Sequence, residues 1–293
     1  WKSNFPMDCI PLRMESMEMS RQSQTSSMTN RDFTFFQQLI YQEAGINITQ
    51  AKYALLVNRL QKRLRARGLD SFRDYRQFLQ NQEDPEEIRE FINSICTNKT
   101  DFFREYGHFL FMEEKIKGRG GPREDLCIWS AACSTGEEPY SISMTLLEKL
   151  VSPEKGNVKI LATDLDTRAL DHAEKGDYSP DKLNGLDENL VNRYFTRLGN
   201  HDYSVKPCVR RLIRFKRYNL MKPIPFAKEF DFIFIRNVMI YFDKPTQQGV
   251  VERLSTRLKP GGFLFIGHSE SLHDLKTGLN YIKPSIYQKP KEH

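Results

Sequence analysis

No apolar run in the 293 residues approaches the roughly 18–20 that a membrane-spanning helix needs. Residues 1–28 contain no basic stretch followed by an apolar one, so no signal peptide is expected. Cysteine is scarce. The five present (Cys9, Cys96, Cys127, Cys133 and Cys208) are odd in number, scattered and without a Cys-x-x-Cys pair. That excludes a disulfide framework and a thiolate zinc site. The six histidines are equally dispersed and show no nucleophile or metal pattern, so no metal is expected. There is no internal repeat. These absences together predict a cytoplasmic protein that does not insert into membranes.

Charge is present in excess and unevenly. The formal net charge is +6. Residues 52–67 carry Lys52, Arg59, Lys62, Arg63, Arg65 and Arg67 with no acid among them, and residues 197–217 carry seven cations against Asp202 alone. Two basic segments imply an acidic partner: nucleic acid, an anionic surface or an acidic protein.

Residues 1–28 are rich in Ser, Met and Gln, lack periodicity and read as a disordered tail. Residues 29–97 read as a helical domain. Asn30 is expected to cap a helix that stops at Gly45. Thr49 is expected to cap a second helix, in which Tyr53, Leu56, Leu60 and Leu64 form an apolar stripe before Gly68. Ser71 and Asp84-Pro85 open two more. From residue 98 strands alternate with helices, beginning with a helix over 101–117, which means a mostly parallel sheet covered on both faces. Residues 194–217 break that rhythm and look like a small antiparallel insertion.

The most informative stretch is Trp129–Ser141. An apolar run enters a loop of small residues, and Gly136 opens a helix that starts with Glu137 and Glu138. Strand, tight loop and helix N-terminus let a backbone approach a nucleotide-like ligand. Two carboxylates there repel phosphate, which wants bare N–H groups, and suit a cationic cofactor such as S-adenosylmethionine (SAM). Asp164, at the end of the next strand, reads either as an acceptor of two ribose hydroxyl bonds or as a helix cap, a role for which Asp166 competes. Arg236 and Asn237 follow the buried run Phe232–Ile235, at the strand edge where open α/β sheets bind ligands. An Asn/Asp-Pro-Pro-aromatic tetrapeptide, expected of an amide-directed DNA methyltransferase, is missing there.

Taken together, Thr97–Arg104, Ser130–Ser141, Asp164, Tyr218-Asn219-Leu220, Arg236–Phe242 and Gly267-His268-Ser269-Glu270 resemble one family, the chemotaxis receptor methyltransferases (CheR), which are glutamate O-methyltransferases. The resemblance covers roughly residues 30–290. It implies a Rossmann-like class I SAM-dependent methyltransferase domain (98–293) of α/β type, with a small antiparallel β-subdomain and an all-α N-terminal domain. It implies S-adenosyl-L-homocysteine (SAH) as coproduct. It implies cofactor contacts at Asn98, Thr100, Arg104, Glu138, Asp164, Asn219, Leu220, Arg236 and Asn237, with Glu138 facing the methionine end and Glu137 unassigned.

The family's acceptor is a glutamate on the cytoplasmic helices of a chemoreceptor. Arg104 and Tyr241 are candidates to orient it, the alternative being cofactor contact or packing. Arg59, Arg63 and Arg67, at i, i+4 and i+8, are expected to form a docking stripe for those acidic helices. Some members grip a receptor pentapeptide by strand addition, but the Gly199–Tyr203 turn is about three residues too short for that, so tether binding is not expected. A nucleic-acid methyltransferase and a non-catalytic SAM-binding adaptor are the competing readings. The missing tetrapeptide and the lack of spaced stacking aromatics speak against the first, and the intact Glu138, Asp164, Arg236 and Asn237 against the second.

Overall fold

A computed structural model describes residues 27–81, 84–117, 125–149, 158–199 and 201–291. Most of the expected tail therefore lies outside the described residues. Met28 does not belong to a tail: its side chain is buried in the helical core and its carbonyl accepts the Tyr53 hydroxyl at 2.7 Å.

Four helices come first: α1 (Asn30–Ala44), α2 (Tyr53–Arg67), α3 (Phe72–Asn81) and α4 (Pro85–Ile95). Thr29, not Asn30, caps α1, in a reciprocal box with Asp32, and Gly45 ends it in the left-handed region at φ 70°. Helix α2 starts later than Thr49, because a 3₁₀ turn at Gln50–Lys52 intervenes. Its stripe of Leu56, Leu60 and Leu64 packs with Phe36, Ile40, Tyr75 and Phe91 into one core.

The remaining elements, in chain order, are α5 (Gly107–Lys117), β1 (Leu126–Ser130), α6 (Glu137–Lys149), β2 (Val158–Asp164), α7 (Thr167–Lys175), β3 (Asp177–Tyr178), α8 (Pro180–Leu183), α9 (Glu188–Tyr194), β4 (Phe195–Arg197), β5 (Tyr203–Val205), α10 (Pro207–Arg210), β6 (Ile213–Arg217), β7 (Phe230–Ile235), α11 (Lys244–Ser255), β8 (Leu258–Ile266), β9 (Asn280–Lys283) and β10 (Ile286–Gln288). The main sheet runs β6-β2-β1-β7-β8-β10-β9. Its first five strands are parallel, and β10 and β9 add an antiparallel edge. Strands β1 and β7 are buried along their whole length, as central parallel strands must be.

Two expectations need correction. The antiparallel insertion is not 194–217: a separate sheet, β3-β5-β4, draws on Asp177–Tyr178 as well, while Ile213–Arg217 joins the main sheet parallel to β2. The basic run hid this, because only Ile213 of β6 is buried and an exposed edge strand tolerates charge. Nor is 101–117 one helix. Residues 102–106 form turns in which Phe103 (φ 52°) and Glu105 (φ 58°) are left-handed, and α5 begins only at Gly107.

Candidate functional site

The carboxyl ends of β1, β2 and β7 open into one cleft, roofed by the 97–104 segment and by the end of α1. All nine expected cofactor residues line it, as does Tyr241. Among the described residues six non-glycine residues have positive φ, and four of them (Phe103, Glu105, Ser134 and Asn237) border this region. Such strain gathers where surrounding structure holds a functional geometry.

Asp164 closes β2 and organises the loop opposite. Its Oδ2 accepts the Ser134 N–H at 2.7 Å and its Oδ1 the Asp166 N–H at 2.9 Å. The capping role belongs to Asp166, which accepts from the N–H groups of Arg168 and Ala169 at the start of α7. A carboxylate has about four acceptor positions, and these backbone N–H groups do not fill them all, so Asp164 keeps acceptor capacity at the cleft. Burial pushes its carboxyl above the usual range. Gly136 sits at φ 97°, and a Cβ there would lie 2.8 Å from that of Ala173, so the loop tolerates only glycine.

Glu138 does not stand alone. Its Oε1 accepts the Ser130 hydroxyl at 2.7 Å, and its Oε2 accepts Arg236 Nη1 at 2.9 Å. Burial raises its carboxyl, with Arg236 opposing. The other side of that guanidinium meets Glu105 Oε2, 3.1 Å from Nη2, and the same nitrogen donates to the Arg104 carbonyl. One cation between two carboxylates leaves one negative charge uncompensated, which fits a cationic ligand group. Burial pushes Glu105 upward, but the His268 N–H and Arg236 more than offset it, and its carboxyl stays below the usual range. Glu137 is fully buried and belongs elsewhere, with Lys182 Nζ 2.9 Å from its Oε1 and the Thr135 hydroxyl 2.6 Å from its Oε2.

The other expected residues divide. Arg104 reaches the Lys99 carbonyl through Nη1 at 3.2 Å, bracing the roof. Thr100 is buried in it, and Asn98 donates to Asp166 Oδ2 at 2.7 Å. Leu220 is buried at the cleft wall. Asn219 lines the cleft and also braces it: its amide nitrogen donates to the Glu43 carbonyl at 2.6 Å and its oxygen accepts the Met221 N–H, so its side chain ties α1 to the sheet edge. Tyr241 accepts the Asn47 N–H on its carbonyl, and Lys52 Nζ lies 5.6 Å from its ring centre.

The three arginines expected to form a docking stripe all have partners inside the helical domain. Arg59 Nη1 donates to the carbonyls of Ser94, Ile95 and Cys96, closing the end of α4. Arg63 forks onto Glu87 at 2.6 and 2.9 Å and reaches Glu90, and Arg67 pairs with Asp84. Asp84, Glu87 and Glu90, at and just before α4, supply acids that 52–67 lacks, so Arg63 and Arg67 are paired within the domain while Arg67 stays exposed.

One residue that carries the site had no assigned role. Glu270 Oε2 accepts the N–H groups of Gly267 (2.6 Å) and Asn237 (3.0 Å), and its Oε1 those of Met239 (2.8 Å) and Ile240 (3.3 Å). It fixes the turn bearing Asn237 and Tyr241. Gly267 is required beside it, since a Cβ would fall 2.4 Å from Asn237 Nδ2. The only sequence signal was its place in Gly267-His268-Ser269-Glu270.

Comparison with known proteins agrees with this geometry. A family model described as "CheR methyltransferase, SAM binding domain" matches residues 98–287, and one described as "CheR methyltransferase, all-alpha domain" matches 31–96. The chain is 40% identical over 275 residues to a "Chemotaxis protein methyltransferase" of Salmonella typhimurium, covering 92% of this chain and 94% of that one. It is 39% identical over 270 residues to one from Escherichia coli (91% and 93%) and 37% over 271 to one from Borreliella burgdorferi (90% and 95%). No helix among the described residues is long and apolar enough to cross a membrane.

Proposed function

The chain belongs to the CheR methyltransferase family and uses SAM, and on that premise we propose that it esterifies glutamate side chains on the cytoplasmic helices of a chemoreceptor. The observation that carries this reading is the convergence of Asp164, the Glu105–Arg236–Glu138 ladder, Arg104 and Tyr241 on one cleft at the strand ends.

SAM supplies a methyl group bound to a positively charged sulfur. Asp164 holds the ribose diol with its spare acceptor positions. Glu138 and Arg236 hold the amino and carboxylate ends of the methionine part, a matched pair for a zwitterion. The roof residues Asn98, Thr100 and Arg104 and the wall residue Leu220 exclude water, and Asn219 keeps the wall attached to α1. An acceptor glutamate, with a pKa of about 4.3, is already ionised at neutral pH, so no general base is required. Arg104 and Tyr241 orient that carboxylate in line with the methyl. Because acceptor and donor neutralise one another, a water-poor cleft favours the transition state over the separated ions, and positioning alone is worth up to roughly 7–11 kcal/mol. Arg214, Lys216 and Arg217, exposed on the edge strand β6, present positive charge to an acidic partner. In register, Arg217 lies beside Asp164 at the cleft end of that edge.

The test offers labelled SAM together with receptor cytoplasmic fragments, RNA and DNA in parallel, and locates the product by mass spectrometry. Methyl esters on receptor glutamates are expected. Label confined to nucleic acid, or SAM binding without turnover on any acceptor, would overturn the proposal in favour of one of the two competing readings.

A further inference from the structure

Behind the Glu105–Arg236 contact lie two histidines that the proposed methyl transfer does not use. The Glu105 carboxylate and the His108 and His268 imidazoles each place a ligand atom within 4.8 Å of the others. His108 is 2% exposed, and neither of its ring nitrogens has a hydrogen-bond partner. A buried imidazole with both polar atoms unpaired is costly and calls for a partner. Its Nδ1 lies 3.6 Å from Glu105 Oε2, and its ring stands 5.1 Å from that of His268, nearly perpendicular at 84°. His268 is exposed, so an ion has a way in and the third ligand is free to move. The Glu105 backbone, at φ 58°, turns this carboxylate back beside the first turn of α5.

We propose that Glu105, His108 and His268 form a site for one divalent transition-metal ion of the Zn²⁺ class. Two imidazoles and a carboxylate are the donors such ions prefer over Mg²⁺ or Ca²⁺. Zinc bonds of about 2.0–2.2 Å require the three atoms to close by roughly 1 Å, within reach of an exposed side chain, and leave a fourth position for water. The ion meets competition. Glu105 already accepts from Arg236, from the Asn237 amide and from the His268 N–H. Metal entry therefore takes Glu105 from Arg236 and adds positive charge behind the cofactor cleft. This second effect rests on Arg236 serving the cofactor, whereas the metal site does not.

The full chain, stripped with a chelator, is titrated with Zn²⁺ by calorimetry. One saturable equivalent is expected and is lost in His268→Ala, an exposed position whose truncation leaves the core intact. Co²⁺ loading should give the visible bands of nitrogen and oxygen coordination without thiolate charge transfer, which separates this site from the cysteines. No saturable binding, binding unchanged in H268A, or thiolate bands would each overturn the assignment. Saturating Zn²⁺ should also weaken SAM binding several-fold in the parent chain but not in H268A, and an unchanged SAM affinity would overturn the competition for Glu105. A chain that binds Zn²⁺ through His268 but not SAM would sink the cofactor reading and leave the metal site standing.

Discussion

Replacing Arg63 by Met discriminates between an arginine that docks a partner and one that holds the fold. Glu87 is 1% exposed and accepts two Arg63 bonds, at 2.6 and 2.9 Å. Removing one member of a buried ion pair costs about 3–5 kcal/mol, because the other charge is left buried. Here two groups stay with Glu87: the Tyr75 hydroxyl at 2.7 Å and Arg67 Nε at 3.5 Å. They offset about 1–2 kcal/mol. The expected destabilisation by R63M is then about 1–4 kcal/mol, read from urea unfolding of the full chain followed by far-ultraviolet circular dichroism. Exposed Arg65 on the same helix is the control, and R65M should stay within about 0.5 kcal/mol of the parent. The R63M/E87Q cycle should show a coupling of about 1–3 kcal/mol. An R63M chain as stable as R65M that nevertheless loses receptor methylation would refute this reasoning and restore the docking stripe.

Asp164→Asn should weaken SAH binding about 10- to 100-fold in calorimetry, because the amide presents one oxygen where two are used and turns an N–H₂ toward the Ser134 N–H; an affinity within twofold of the parent would remove Asp164 from the ribose role. The pH dependence of SAM binding follows from the raised carboxyls of Glu138 and Asp164. A raised carboxyl takes up its proton earlier as pH falls, so affinity for the cation is full above the raised value and declines on acidification before the ordinary carboxylate range of about 4 is reached. SAH, which keeps the amino group and the ribose diol that these two carboxylates hold, should decline in parallel. An affinity unchanged on acidification for either ligand would contradict the electrostatic account.

Much of the site could be read in the sequence because its residues act where a local rule places them. The Trp129–Ser141 stretch reveals a strand, a glycine-dependent turn and a helix start by composition alone, and Asp164 and Arg236 follow buried runs whose ends must lie at one sheet edge. What the sequence could not show was how charge is paired. An acid-free stretch looks unpaired only within its own helix, and Glu87, whose carboxylate neutralises Arg63, stands 24 residues away. The same distance hid β6, whose pairing with β2 depends on register rather than pattern.

The sequence by itself determined the two-part organisation, the parallel sheet, the cleft-edge residues and the family, since each rests on periodicity, turn chemistry or a contiguous motif. Only the tertiary structure decided which charges are free. It pairs Arg236 with Glu105 and Glu138, buries Glu137 against Lys182, turns Asn219 toward α1, gives Glu270 four backbone N–H groups and brings His108 beside His268. The physical reason is that a charge or a lone pair is satisfied by whatever lies within about 3 Å of it, and folding sets that distance with little regard to separation along the chain.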